Sequence, residues 1–389
     1  MTDTIMHPIN RRTFLKQTCQ TAASLTLLGE YSPSMLWGEE DTPSLDVMIG
    51  QMLLVGFRGS EVDEDHSIMK AIEQNYLGGV VLFDYDAATK SFDRNIRSPD
   101  QVKQLTDNLQ EASSTPLLIA IDHEGGTVCR LKEAYGFPTT ESAAYLGTKD
   151  DPALTRQHAL SMSKTLSEIG INLNLAPVVD LNINPDNPII GQRLRSFSDN
   201  AEIVTKHSLA FIQAHHENRI LCTLKHFPGH GSSVGDTHHG LTDVTETWSD
   251  TELEPYARII QAGKADAIMT AHVFNRYLDA RFPATLSMTT ITGILRSRLQ
   301  YDGVIISDDL QMGAIVREYD LDTAIITAID AGVDILAFAN NNGYEESVVT
   351  HASRLIKQRV TEGQISEARI KESYRRIQRL KSKLSESTE

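Results

Sequence analysis

Cysteine is nearly missing from this chain: Cys19, Cys129 and Cys222 are all it has in 389 residues. Leaving out Cys19, which lies near the start, two cysteines cannot build a disulfide framework, and their spacing is not that of a metal site. Both read as small buried hydrophobes. Long apolar runs are missing too, and no stretch of about 18 residues offers a membrane span. Positive charge is in deficit, with 36 Lys and Arg against 52 Asp and Glu and a net charge of −16. A phosphate-backbone binder needs clustered Lys and Arg, so a nucleic-acid partner is excluded. No H-E-x-x-H helix and no cysteine pair occurs, and no low-complexity linker or internal repeat marks a second domain.

What is present divides at the N-terminus. Asn10-Arg11-Arg12-Thr13-Phe14-Leu15-Lys16 resembles the twin-arginine export signal, and a mildly apolar run over 22–28 follows it. A short, weakly hydrophobic run behind a basic end is what a targeting segment needs. An amphipathic first helix with two exposed arginines is the plainer reading, but the full seven-residue match placed before an apolar run favours export. Residues 1–42 are therefore read as export signal and linker, cleaved between Gly29 and Thr42 or retained as an anchor, and 43–386 as the working domain. The expected location is periplasmic or otherwise exported, with no stable membrane insertion afterwards.

Beyond that point one theme repeats: a short, β-branched apolar run, then an amphipathic helical stretch. Strands are expected at 51–57, 79–83, 117–122, 173–180, 221–226, 267–272, 304–308 and 333–339. Helices are expected between them, among others at 99–113, 152–168, 201–218, 252–262 and 321–331. Continuous apolar strands alternating with helices indicate a parallel sheet covered on both faces. Eight such units predict a single-domain TIM (β/α)8 barrel with extended loops at its C-terminal face; a doubly wound open sheet is the alternative, since strand count alone does not prove closure. The basic helix at 366–384 carries Ile370, Tyr374, Ile377 and Leu380 on one stripe, which is expected to pack on the barrel and leave its Lys and Arg solvated.

Polar residues gather at the strand ends: Asp122, Asp180, Lys225-His226, His272 and Asp308-Asp309. In a barrel these ends converge on one mouth, where such proteins place their chemistry. The fifth strand runs into Lys225-His226-Phe227-Pro228-Gly229-His230-Gly231 and on to Asp236-Thr237-His238, a Gly- and His-rich loop in which Asp236 can orient the His238 imidazole. Four close histidines, His226, His230, His238 and His239, invite a zinc reading, but they sit on a strand end and a loop without metal-site spacing. His230 and His239, taken singly, suit structural roles. The seventh strand ends in Ser307-Asp308-Asp309-Leu310, where alternation lets only one carboxylate point into the mouth. Asp308 is the candidate, and Asp309 is free for backbone donors. Asp122-His123-Glu124-Gly125-Gly126 offers a third carboxylate, and the stretch from Asn174 to Arg195 brings Arg193 or Arg195 over the mouth.

Together these segments resemble family 3 glycoside hydrolases, in their single-domain β-N-acetylglucosaminidase branch, from about Ile49 to Leu384. The Lys-His-Phe-Pro-Gly-His-Gly block followed by Asp-Thr-His is the most specific part. The resemblance implies a retaining exo-β-N-acetylglucosaminidase that releases terminal β-linked N-acetylglucosamine from peptidoglycan fragments or chitooligosaccharides. It implies Asp308 as nucleophile, Asp236 with His238 as acid/base dyad, and Asp122, Arg195, Lys225 and His226 at sugar-binding positions, with Arg130 a further candidate. No metal or cofactor is expected, a small carbohydrate is the partner, and the chain is read as a monomer. The departures are Ser232-Ser233 in place of Asp-Thr, Thr127 in place of Arg, extra residues around Arg193 and Arg195, and a longer loop at 84–97. A β-glucosidase of the same family and a degenerate sugar-binding barrel are the alternatives.

Overall fold

The computed structural model describes residues 43–238 and 240–385. The export-type segment, Cys19 and His239 lie outside the described residues. Eight strands form one parallel sheet: β1 Leu53–Gly56, β2 Gly79–Leu82, β3 Leu118–Ile121, β4 Leu173–Asn174, β5 Leu221–Phe227, β6 Ala267–Thr270, β7 Val304–Ile306 and β8 Leu336–Phe338. Each expected strand is there, seven of them shorter than expected and the fifth one residue longer, and the spatial order is β7-β6-β5-β4-β3-β2-β1-β8. The first strand pairs with the last, Leu53 opposite Leu336, and an Ile306–Ile335 bridge joins β7 to the entry of β8. The sheet therefore closes on itself as a TIM barrel rather than staying open.

Burial explains why these segments are strands. Every residue of β1, β2, β3 and β7 is buried, because one face fills the barrel and the other is covered by helices. Helix ends obey local chemistry. The helix Leu321–Ala331 starts at Asp320, whose carboxylate accepts from the Thr323 N–H at 2.8 Å, and stops at Gly332 with φ 117°. A capping carboxylate and a left-handed glycine fix both limits, and the sequence reading placed that helix on the same residues.

The long loop at 84–97 ties the seam between first and last strands. Arg94, fully buried, donates to Phe57 O at 3.0 Å, Ala339 O at 3.1 Å, Asn340 O at 2.9 Å and Asn341 Oδ1 at 2.6 Å. One side chain thus binds the backbone after β1 to the backbone after β8.

Two expectations need correction. In the last helix, Glu367–Ser382, the stripe of Ile370, Ile377 and Leu380 is buried, but so is Lys381. Its ammonium donates to Gln51 Oε1 at 2.6 Å and Gly78 O at 2.9 Å, because the helix lies over the bottom of the barrel and the stem cannot reach water. Cys222 is buried, whereas Cys129 is only half-buried, with Sγ 3.0 Å from Leu131 O and 3.4 Å from His123 Nδ1. It behaves as a weak donor in a turn, not as a core hydrophobe.

Candidate active site

The C-terminal ends of β3, β4 and β5 build a compact charged wall. After β3, residues His123–Gly125 pair antiparallel with Val128–Cys129. This turn needs Gly125 and Gly126, at φ 101° and 60°, and a Cβ on Gly125 would stand 2.2 Å from Glu141 O. Within β5, the pairing with β6 shifts register between Leu224 and Phe227. Such an irregularity re-aims side chains, and the consecutive Lys225 and His226 both reach the mouth. Lys225 Nζ donates to Asp122 Oδ1 at 2.7 Å and lies 2.8 Å from Glu124 Oε1. Arg195 grips Glu124 with two bonds of 2.8 and 2.7 Å, and Arg130 reaches Asp122 at 3.4 Å. His226 Nδ1 bonds Asp180 Oδ2 at 2.7 Å, and its Nε2 lies 3.3 Å from Arg195.

Burial opposes each of these charges, and their mutual attraction offsets it. Burial alone would raise the Glu124 carboxyl, but Arg195 and Lys225 hold it at about 2. Desolvation works likewise against Asp122, which Lys225 and Arg130 keep well below the usual carboxylate range. Lys225 is desolvated too, yet Asp122 and Glu124 leave its pKa above the ordinary lysine value. A paired set of this kind stays ionised where isolated charges would not. Of the two arginines the sequence left open, Arg195 joins this wall, while Arg193 is exposed and offers its carbonyl to Thr127 Oγ1 at 2.7 Å.

Across the mouth, β7 runs into Asp308 and Asp309. Asp309 Oδ1 accepts from Gln311 N and Ala339 N, both at 3.0 Å; burial pushes its carboxyl up to about 6. Asp308, half-buried, takes the Asp309 N–H at 2.8 Å. Burial would raise its pKa, but His272, His226 and His238 lower it below the ordinary value. His272 is held in place by Thr285 Oγ1 at 2.8 Å and Asp309 O at 2.9 Å.

The loop after β5 carries Asp236 and His238. Asp236 Oδ1 accepts the His238 backbone N–H at 2.9 Å and is bonded to its Nδ1 at 2.6 Å. The ring is about half exposed, leaving Nε2 as the nitrogen open to a substrate. Among the described residues, no group of three or more His, Cys, Asp and Glu converges to hold a metal ion. The histidines diverge instead: His226 turns to Asp180, His238 to Asp236, and His230 to Ser233 Oγ at 2.7 Å.

Two members of the site went unassigned in the sequence reading. Glu124 stands two residues beyond Asp122, and extended residues at that spacing share a face; this was the signal available. Asp180 was noted only as a strand end. It is buried, and besides the His226 ring it accepts the backbone N–H of His226 at 3.1 Å and of His230 at 2.9 Å.

Compared with known proteins, residues 44–380 match the sequence profile described as the Glycosyl hydrolase family 3 N terminal domain. A protein named Beta-hexosaminidase A, from Pseudoalteromonas piscicida, is 33% identical over 383 residues, covering 88% of this chain and 61% of that protein. One named Beta-hexosaminidase, from Xylella fastidiosa, is 37% identical over 292 residues, covering 73% of this chain and 82% of that protein. A solved glycoside hydrolase family 3 beta-N-acetylglucosaminidase from a Paenibacillus species superposes with a TM-score of 0.80 at 33% identity, over 90% of this chain and 64% of that one. The chain thus spans a little under two thirds of the Pseudoalteromonas and Paenibacillus proteins.

Proposed function

The chain belongs to glycosyl hydrolase family 3, and from that premise we propose that it is a retaining exo-β-N-acetylglucosaminidase working through a glycosyl-enzyme. The observation that carries this reading is one mouth holding an ionised Asp308 on one side and a carboxylate-backed imidazole, His238 with Asp236, on the Gly-rich loop beside it. The names of the Xylella and Paenibacillus relatives support the sugar assignment.

In the proposed first step, an Asp308 oxygen attacks C1 of the terminal sugar. The C1–O bond to the leaving group breaks, and His238 Nε2 delivers its proton to the departing oxygen. Asp236 fixes the tautomer by accepting from Nδ1 and stabilises the imidazolium before transfer. In the second step, Nε2 takes a proton from water as that water attacks C1 and frees Asp308. Asp122, Arg130, Arg195, Lys225 and His226 are proposed to bind the sugar hydroxyls across the mouth. Peptidoglycan fragments are the proposed natural source, with export through the twin-arginine-type segment as the proposed route to them.

The test is turnover of 4-nitrophenyl glycosides, with and without phosphate in the buffer. The N-acetyl-β-glucosaminide should be cleaved well above the β-glucoside, and Asp308→Ala should abolish cleavage. Near-normal activity of that variant, or a glucoside preference, would refute the assignment.

A further inference from the structure

We propose that Thr237 is a positioning residue that sets where the Asp236–His238 pair stands relative to Asp308. His238 lies exposed on the rim, whereas Thr237, between it and Asp236, is buried with 1% exposure. Two ties run inward from it. Its carbonyl accepts the Ala314 N–H at 3.0 Å. Ala314 belongs to the short helix Gly313–Val316 that directly follows the turn after Asp308, and that turn is closed by Met312 N donating to Asp309 O at 3.0 Å. The acid/base loop is thereby joined to the loop that carries the nucleophile.

The second tie runs to the end of β5. The Thr237 hydroxyl lies 3.4 Å from His230 Nε2, and the other ring nitrogen, Nδ1, is 2.7 Å from Ser233 Oγ. Ser233 Oγ in turn accepts from Asn187 Nδ2 at 3.0 Å, and the same amide donates to His230 O at 2.8 Å. Burial keeps the His230 ring neutral, with a pKa of about 4, so one nitrogen donates and the other accepts. Hydroxyls suit both places because each can take either part. Thr237 is where a brace from the strand end and a brace from the nucleophile's loop meet. A displacement of the reacting groups by about 1 Å can cost about 100-fold in rate, which gives such a junction its leverage.

The inference rests on His238 being the acid/base, and the experiment separates the two. Thr237→Val removes the hydroxyl at similar shape, and Thr237→Ser keeps it. Both are assayed beside His238→Ala on N,N′-diacetylchitobiose, which has a poor leaving group, and on 2,4-dinitrophenyl N-acetyl-β-glucosaminide, which needs no proton. The valine variant should lose roughly 10-fold or more in kcat/KM, which reports the step up to the glycosyl-enzyme, on the disaccharide and less than about 3-fold on the aryl glycoside, with the serine variant within about 2-fold of wild type on both. A valine variant matching wild type, or losing equally on both substrates, overturns the proposal. If the valine variant does not fold, Ser233→Ala, which unfastens the same ring, should show the same unequal pattern, and an equal or absent effect overturns the proposal. Should His238→Ala itself lose equally on both substrates, the acid/base assignment fails, and the proposal with it. Unequal loss there with equal loss in Thr237→Val removes the positioning role alone.

Discussion

Replacing Glu124 by Gln keeps the shape of the side chain and removes the charge that Arg195 and Lys225 share. The folded protein holds this carboxyl at about 2, against an ordinary 4.5. At about 1.4 kcal/mol per unit, that depression stabilises the fold by about 3 kcal/mol at neutral pH. Because the folded value lies below the unfolded one, the contribution is complete above about pH 5 and is lost as pH falls through 4.5 towards 2. Roughly 1 kcal/mol of it has gone at pH 4 and roughly 2 kcal/mol at pH 3. With an unfolding entropy of about 2.1 cal/mol/K per residue, a unit of roughly 350 residues should melt about 4 °C lower in the variant at pH 7. The gap should be nearly the same in melts run at pH 7 and 5 and should narrow at pH 4 and again at pH 3.5. Kinetics should show it as well: Arg195 loses a fork partner, so KM for the N-acetylglucosaminide should rise more than kcat falls. A melting temperature within about 1 °C of the parent at pH 7 would refute the reasoning. So would a deficit that stays constant down the pH series.

Lys381 reverses the sign. Burial depresses its pKa from 10.5 to about 7, so the cost of burying a charge is fully present below pH 7 and is relieved as pH rises towards 10.5. Thermal melts of Lys381→Met should therefore be displaced upward relative to wild type near pH 6.5, and the advantage should shrink towards pH 9.5; parallel curves would contradict this. At the mouth, Arg195→Ala should raise KM or lower kcat/KM by roughly 100-fold, since it also leaves Glu124 buried and unpaired, whereas Arg193→Ala should stay within about 2-fold. Steady-state kinetics of the two variants decide whether the inner arginine is the one that matters.

Much of the fold was legible because its signals are local. Apolar β-branched runs of four to eight residues announce buried strands, and caps such as Asp320 and Gly332 bound a helix without reference to the rest of the chain. The strand-end charges were legible for the same reason. What could not be read were relations between distant segments. Nothing near Lys381 in sequence says that Gln51 and Gly78 will enclose it. The choice between Arg193 and Arg195 depended on Glu124, far upstream, offering both its oxygens to one of them. Asp180 could be placed at a strand end, but its engagement of both His226 and His230 needs the irregular stretch of β5 beside it.

The seam fastened by Arg94 has a consequence for how the molecule comes to exist. β1 is among the first elements to leave the ribosome, yet its partner on one side, β8, is among the last. Throughout synthesis β1 carries a row of unsatisfied main-chain donors and acceptors along that side, the kind of edge on which chains aggregate. Arg94 waits equally long for the carbonyls of Ala339 and Asn340. Closure is thus a late, long-range event that no early half of the chain can rehearse. A ribosome stalled before Leu336 should hold a fragment that is sticky and sensitive to protease, and release of the full chain should bring protection to both ends at once.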